Sequence, residues 1–489
     1  MAKPPRSLGE SAFRGAAVTG FGQLARILLQ VLSIIVLARL LSPEDYGLLA
    51  MVTVVIGVGE LFRDFGLSSA AIQSKTLSNA QRSNLFWLNS VIGVVLSLIC
   101  FAAAPLLSVL YGDARLTLIT QLLATTFLIN GVATQFRADL NRSLKFGTLS
   151  VIDVVSQFVG LAVGVGAALL GAEYWSLVAM QVTIALVSAT GSAVSTRWMP
   201  RWYNRQADIR PFFRFGISLL GSQLVNYAGK NADSFVIGLA LGPVQLGFYN
   251  RAFQLLLLPL NQLQAPSTRV ALPILSRLQD DKPRFDAFIL QGQTALLHVV
   301  AVVLAFTASQ ATVLFSFVLG DQWVSAAPLF QALAIGGLAS MANYACYWVF
   351  LSKGLTSSYL VFSLITRPFL IGSVVVGSMF GALGVAIAYS AASFLLWPCT
   401  LLWLRRVSNA PVGRMFRVGI RTVVVYAVAG GAAFAVGLLV ANLHPLFVLS
   451  ISLLAFVAAV AVCAVIVPSF RRDLASLAAL RVFMGGRKK

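Results

Sequence analysis

Five ionisable side chains stand deep inside apolar stretches of this chain: Arg26, Glu60, Lys230, Asp233 and Arg367. A charge near the middle of a bilayer costs several kcal/mol, so such residues are kept for pairing, binding or ion movement. The three cations fit an anion. Arginine offers paired donors to phosphate oxygens and lysine a point charge, so Arg26, Lys230 and Arg367 are candidate ligands for a phosphate or pyrophosphate. Gln23, Gln30 and Asn226 lie within a helical turn or two of these cations and are candidates for bonding sugar hydroxyls or lining a cavity. Glu60 and Asp233 are the carboxylates that proton or sodium coupling would use. The competing role for each is an ion pair: Glu60 with Arg63 and Lys230 with Asp233 both have the three-residue spacing that one helix face allows. Arg39, Arg63, Asp64, Asp153 and Arg251 lie nearer the ends of apolar runs and read as snorkelling residues or local pairs.

The elements that must position these groups follow from composition. Of 489 residues, 58% are apolar and 11% charged, with a mean hydropathy of +0.86; a soluble domain carries about a quarter charged residues. The apolar residues fall into about fourteen runs of roughly 20 to 28 residues, each long enough to cross a hydrocarbon core about 30 Å thick. Spans are expected near 16–41, 47–69, 85–110, 115–137, 148–170, 174–196, 212–240, 246–269, 289–319, 325–351, 356–379, 382–404, 418–441 and 446–468. The runs are continuous rather than alternating, which predicts helices and not a barrel. The fold class is an all-α integral membrane protein.

The net charge of +20 is not spread evenly. Basic residues crowd the N-terminus, alternate loops such as those holding Arg137, Arg142 and Lys145, and the C-terminal tail, whereas the opposite loops hold Arg115 alone. The positive-inside rule then places both termini in the cytoplasm and excludes nucleic acid as the reason for the charge. Contact with anionic membrane lipids is a secondary effect of the same asymmetry. The first apolar stretch is long, contains Arg26 and lacks a cleavage site, so it is expected to remain as the first span. Cys100, Cys346, Cys399 and Cys463 sit in apolar runs with no metal-ligand spacing, which implies neither a disulfide, a metal site nor a cofactor.

The chain also repeats. Residues 13–50 align without gaps on 213–250, with Phe13, Arg14, Gln23, Leu24, Val36, Leu41, Pro43 and Gly47 identical to their counterparts 200 positions on. LSVLYGD at 107–113 resembles FSFVLGD at 315–321, and LGA at 170–172 resembles FGA at 380–382, in the same order. This predicts two six-helix lobes, 1–205 and 206–410, followed by a helix pair and basic tail at 411–489. An even number of spans per lobe gives parallel repeats related by a pseudo-two-fold along the membrane normal, the geometry of alternating access. Arg26 aligns with Asn226 and Gln30 with Lys230, so each lobe's first helix carries a cation at comparable depth.

ARLLSPEDYGLLAM at 38–51, FRDFGLSSAAIQSKTLSNAQRSNLFWLN at 62–89 and YNRAFQLLLLPLNQLQAPSTRVALPILSRLQDDKPRF at 249–285 resemble the polysaccharide-transporter branch of the multidrug/oligosaccharidyl-lipid/polysaccharide exporter superfamily. Nearest in kind are the Wzx-type flippases and exporters of exopolysaccharide clusters. The resemblance implies two six-helix lobes, a bacterial inner-membrane location, and flipping of undecaprenyl-pyrophosphate-linked oligosaccharide for exopolysaccharide or lipopolysaccharide synthesis. It also implies membrane lipids and a polysaccharide polymerase and co-polymerase as partners. Three alternatives stand beside it: a cation-coupled multidrug exporter of the same superfamily, a membrane polysaccharide polymerase, and a scaffold. The mostly basic deep charges disfavour the first, and short loops with no nucleotide-sugar domain disfavour an enzyme.

Overall fold

The computed structural model describes the backbone of residues 8–64, 77–207 and 210–485, and the side chains of 20–63, 77–207, 223–224 and 227–477. The described backbone is helical, with no strand. Among the described residues, thirteen helices are long and apolar enough to span a bilayer. One of them, Tyr227–Arg277, has 51 residues, roughly 75 Å at 1.5 Å per residue, about twice what a single passage needs. It belongs to the helical run Arg210–Arg277, which breaks at Gly242 (φ 80°, ψ −178°), so it has the length of two passages, which brings the described residues to fourteen. The sequence predicts a loop between spans at this point; the structure has a one-residue kink, after which Pro243 restarts the helix at a position where its missing N–H is harmless.

The chain divides into two compact units, Met1–Gly247 and Phe248–Lys489. The first contains α1 (Leu8–Leu40), α2 (Pro43–Asp64), α3 (Asn79–Tyr111), α4 (Arg115–Arg142), α5 (Phe146–Leu169) and α6 (Trp175–Thr196), and the N-terminal part of α7 (Arg210–Arg277). Its helices start and stop by local chemistry. Ser42 and Asp45 cap α2 reciprocally: the Ser42 N–H donates to the Asp45 carboxylate at 2.8 Å, and the Asp45 N–H to Ser42 Oγ at 3.2 Å. Ser78 and Gln81 form a full capping box at the start of α3, and Gly112 ends that helix in the left-handed region. Gly93 of α3 and Gly131 of α4 face each other; a Cβ on Gly93 would lie 3.1 Å from the Gly131 Cα and 2.6 Å from the Phe127 carbonyl oxygen. Leu37, Leu41, Leu161 and Leu177 bring α1, α5 and α6 together in a buried cluster.

The repeated motif explains itself at one corner. A Cβ on Gly47 would overlap the Pro243 carbonyl, and a Cβ on Gly247 would overlap the Pro43 carbonyl. Each copy of the motif thus supplies the glycine into which the other copy's proline carbonyl fits. Tyr111 closes the same corner, its ring centroid 6.2 Å from that of Phe235. Beside it the Arg115 guanidinium donates to Glu44 at 2.5 Å and to Asp113 at 2.7 Å. The other aligned turns agree in backbone as well: Gly112 and Gly320 both have positive φ, as do Gly171 and Gly381.

In the second unit the N-terminal passage is followed by α8 (Lys282–Ser309), α9 (Ala327–Ser352), α10 (Thr356–Ser378), α11 (Gly381–Val407), α12 (Val412–Leu439), α13 (Pro445–Ile466) and α14 (Pro468–Gly485). Where a continuous span to 319 is expected, α8 ends at Ser309 and a four-residue turn, a π-helical turn and a 3-10 turn lead to α9. The central helix is α9, whose Trp348 indole donates to Thr268 at 2.9 Å. Within the expected basic tail, α14 packs the fully buried Phe470 against the rings of His298 and Tyr426, and Asp473 pairs with Arg421. Gln293 of α8 and Gln310, just past its end, donate to the Met415 and Ala433 carbonyls, fastening α12 to α8.

Gly47→Val and Gly247→Val are each expected to destabilise the detergent-solubilised protein by about 1–3 kcal/mol or more, as overpacking does. Gly166→Ala, where nothing lies within 4 Å, should be neutral; thermal unfolding followed by tryptophan fluorescence checks the difference. At this corner, hydrogen bonds from Arg115 hold the Asp113 carboxyl below its ordinary pKa. The stabilisation this gives is present above the unfolded carboxylate pKa of about 3.9 and is lost as pH falls through the lower folded value. Asp113→Asn should therefore lower stability at neutral pH and remove that part of the acid-side loss, read from unfolding curves between pH 7 and pH 2.

Candidate functional site

On α1, Gln23, Arg26 and Gln30 fall at i, i+3 and i+7, the spacing of one helix stripe. Arg26 is the centre of this stripe, and its side chain is half exposed, at 48%. Gln23 is exposed and Gln30 half-buried. The Arg26 guanidinium stands 3.8 Å from Asp153 Oδ2 on α5. The other carboxylate oxygen, Oδ1, accepts from Arg137 Nη2 of α4 at 2.8 Å, and Arg137 Nη1 donates to Ser188 Oγ of α6 at 2.9 Å. Three helices therefore meet at one carboxylate shared by two guanidiniums, and Arg137 ties in a fourth through Ser188. The contacts are unequal: 2.8 Å is a charge-assisted hydrogen bond, whereas 3.8 Å lies beyond hydrogen-bond range and is Coulombic only. Asp153 belongs to Arg137 first, and the cluster carries one uncompensated positive charge, expressed at Arg26.

Asp153, placed by its position in the chain among the interfacial pairs, is thus the partner of the deep Arg26. Position contains the signal that would have found the Arg137–Asp153 pair. Both residues stand about two helical turns from the short turn joining α4 to α5, so a hairpin brings them to one level.

Glu60 forms the other polar clamp of this unit. Its Oε2 accepts from Arg63 Nε at 2.7 Å, and its Oε1 from Asn130 Nδ2 at 3.2 Å; Arg63 Nη1 reaches Thr134 Oγ1 at 2.6 Å. These bonds fasten α2 to α4. Nearer the helix ends Arg82 pairs with Asp139 at 2.7 Å and lies over the Trp198 ring at 3.8 Å. Asn84 exchanges hydrogen bonds with Asn204 and fixes the segment after α6. Neither the cation–aromatic contact nor the Asn84 clamp has a periodicity that sequence reading detects.

Lys230 on α7 is exposed, and among the described residues no ion pair joins it to Asp233 or to any other carboxylate. One turn earlier, the Tyr227 hydroxyl donates to the Val54 carbonyl at 2.9 Å, lying against Gly57. Asp233 is buried and accepts from the Ser234 N–H at 2.8 Å. The Asn226 side chain lies outside the described residues. In the second unit Arg367 is half-buried on α10, with no carboxylate partner among the described residues, and Pro368 follows it within the helix.

A family model described as "Polysaccharide biosynthesis protein" matches residues 36–328, more than half of the chain. The chain belongs to that family. Among curated relatives, the lipopolysaccharide biosynthesis protein WzxC of Escherichia coli K12 is 26% identical over 395 residues, covering 78% of this chain and 78% of WzxC. The succinoglycan biosynthesis transport protein ExoT of Rhizobium meliloti is 27% identical over 380 residues, covering 76% of this chain and 74% of ExoT. Among solved structures the fold is similar to that of the lipid II flippase MurJ in an inward closed conformation, with a TM-score of 0.70 over 94% of this chain and 99% of that one at 14% identity. The family member described here is a multi-pass membrane protein with the MurJ fold, and its relatives are named for biosynthesis and transport rather than for a chemical reaction.

The unequal sharing of Asp153 has a consequence for stability. Asp153→Asn leaves both guanidiniums without a counter-charge in a partly exposed cluster and is expected to cost about 1.5–3 kcal/mol, the size of a lost charged hydrogen bond. Arg26→Gln leaves the Arg137 bond intact and should cost about 1 kcal/mol or less. The ratio of the two losses in thermal unfolding checks the assignment.

Proposed function

We propose that the protein flips a polyprenyl-pyrophosphate-linked oligosaccharide from the cytoplasmic to the periplasmic leaflet of a bacterial inner membrane, supplying repeat units for exopolysaccharide or lipopolysaccharide assembly. The observation that carries this reading is the uncompensated positive charge at Arg26, inside a membrane-spanning helix of a polysaccharide-biosynthesis family member. Half-exposed beside a carboxylate already satisfied by Arg137, Arg26 keeps donors available for phosphate oxygens. Lys230 and Arg367, without carboxylate partners among the described residues, are the further cations assigned to the pyrophosphate. Gln23, Gln30 and Asn226 are assigned to glycan hydroxyls or to the cavity wall. The names of WzxC, ExoT and MurJ support the substrate class, and the loop asymmetry of Lys and Arg supports cytoplasmic termini. Two lobes, 1–205 and 206–410, working by alternating access, complete the reading, with the helix pair of 411–489 as an addition.

Glu60, which is engaged by Arg63 and Asn130, and the buried Asp233 are the carboxylates assigned to ion coupling. A polymerase and co-polymerase are the proteins that would receive the flipped unit.

The test is the leaflet distribution of lipid-linked repeat unit in a deletion strain. Cytoplasmic accumulation relieved by the wild-type gene is the expected result, with relief falling at least about tenfold for Arg26→Gln at unchanged protein level, and also falling for Lys230→Gln and Arg367→Gln. Normal distribution with lost polymer would place the protein after flipping and overturn the reading.

A further inference from the structure

The seam between α1 and α5 arranges three environments in a fixed order. On one side of α1 lies the polar stripe of Gln23, Arg26 and Gln30. Roughly a third of a turn round the helix, Leu28, Leu29 and Leu32 face Val154, Val155 and Phe158 of α5 across an almost wholly apolar groove of about 430 Å³. Its rims are open: Leu28 is 62% and Phe158 60% exposed. The Arg26–Asp153 pair stands in the seam between stripe and groove. The seam is tight on either side of it, where Gly22 abuts Ser150 and where Leu37 packs with Leu161.

The geometry points to this seam as the docking site of the lipid part of the substrate, with the polyprenyl chain in the α1–α5 groove and the pyrophosphate taking Asp153's place on Arg26. The inference rests on the flippase reading and assigns that function a lipid-binding site. A lipid-linked oligosaccharide presents glycan, anion and hydrocarbon in that order, and the seam presents hydrogen-bonding amides, a cation and an apolar groove in the same order.

Charge selects among membrane lipids. The Arg26–Asp153 contact is Coulombic at 3.8 Å, while Asp153 keeps its 2.8 Å bond to Arg137, so an incoming anion releases Arg26 without leaving a bare carboxylate. A doubly esterified pyrophosphate brings two negative charges to that exchange, whereas the phosphodiester of phosphatidylglycerol brings one and gains little over the carboxylate it replaces.

The experiment uses the full chain in nanodiscs and a diazirine-bearing polyprenyl pyrophosphate without sugar. Photolabel is expected in the peptides containing residues 25–32 and 154–158, competed by undecaprenyl pyrophosphate and not by phosphatidylglycerol. Arg26→Gln should weaken binding about tenfold, the loss of a charged hydrogen bond, and Asp153→Asn should tighten it by removing the competitor. Leu28→Trp fills the groove without touching the charge and should reduce labelling while leaving thermal stability unchanged, which separates occupancy from folding. Equal competition by phosphatidylglycerol marks an ordinary lipid annulus and overturns the proposal. So does saturable label elsewhere in the chain, which leaves the flippase reading standing; unchanged binding in Arg26→Gln overturns the proposal and removes the charge from which that reading is argued. Absence of any saturable binding overturns both.

Discussion

Hydrocarbon offers no hydrogen bonds, and the whole structure follows from that. Each peptide group must find its partner within its own helix, so the chain has one kind of element to work with. Because lipid tails are as apolar as leucine, burying apolar surface does little to decide which helix lies beside which. That decision falls to a few close contacts and polar clamps. Gly93 and Gly131 let α3 and α4 approach to backbone contact, and Glu60, Arg63, Asn130 and Thr134 fasten α2 to α4. Asp153 gathers α1, α4 and α5, while Gln293 and Gln310 attach α12 to α8. The same residue types that are rare in a bilayer therefore do most of the specifying.

Much of this was legible in the chain. Apolar run length located the spans, since a helix that crosses lipid leaves a continuous signature, and α5 and α10 lie within a few residues of where the runs place them. Legibility failed where structure depends on a single backbone angle or on partners far apart in sequence. GPVQ reads as a loop, yet Gly242 alone makes the break and Pro243 resumes the helix. The tail after Pro468 reads as a basic segment, because the burial of Phe470 depends on His298 and Tyr426, residues from two other helices. For the candidate site, depth identified Arg26 and spacing anticipated the Glu60–Arg63 pair. Depth could not reveal that Asp153 serves two arginines, which requires knowing that α1 and α4 both border α5.

Sharing one carboxylate between two guanidiniums resolves a conflict inherent in handling anions inside a membrane. A bare cation in hydrocarbon is costly, and a fully neutralised one has nothing left to offer. At Arg26 the chain adopts an intermediate: a counter-ion near enough to moderate the charge, and already committed to Arg137 strongly enough to let go. In the proposed function the weak partner is the one exchanged for the substrate's anion, and the strong pair beside it keeps the helices in place.

The corner where Pro43 and Gly47 meet Pro243 and Gly247 has a consequence for descent. After a gene segment doubles, its copies ordinarily drift apart, each accepting substitutions on its own account. Here each copy is the mould of the other, so a side chain gained in one removes the room occupied by its twin's backbone. Divergence at these positions is therefore coupled, and resemblance between the copies outlasts its erosion in the helices that follow.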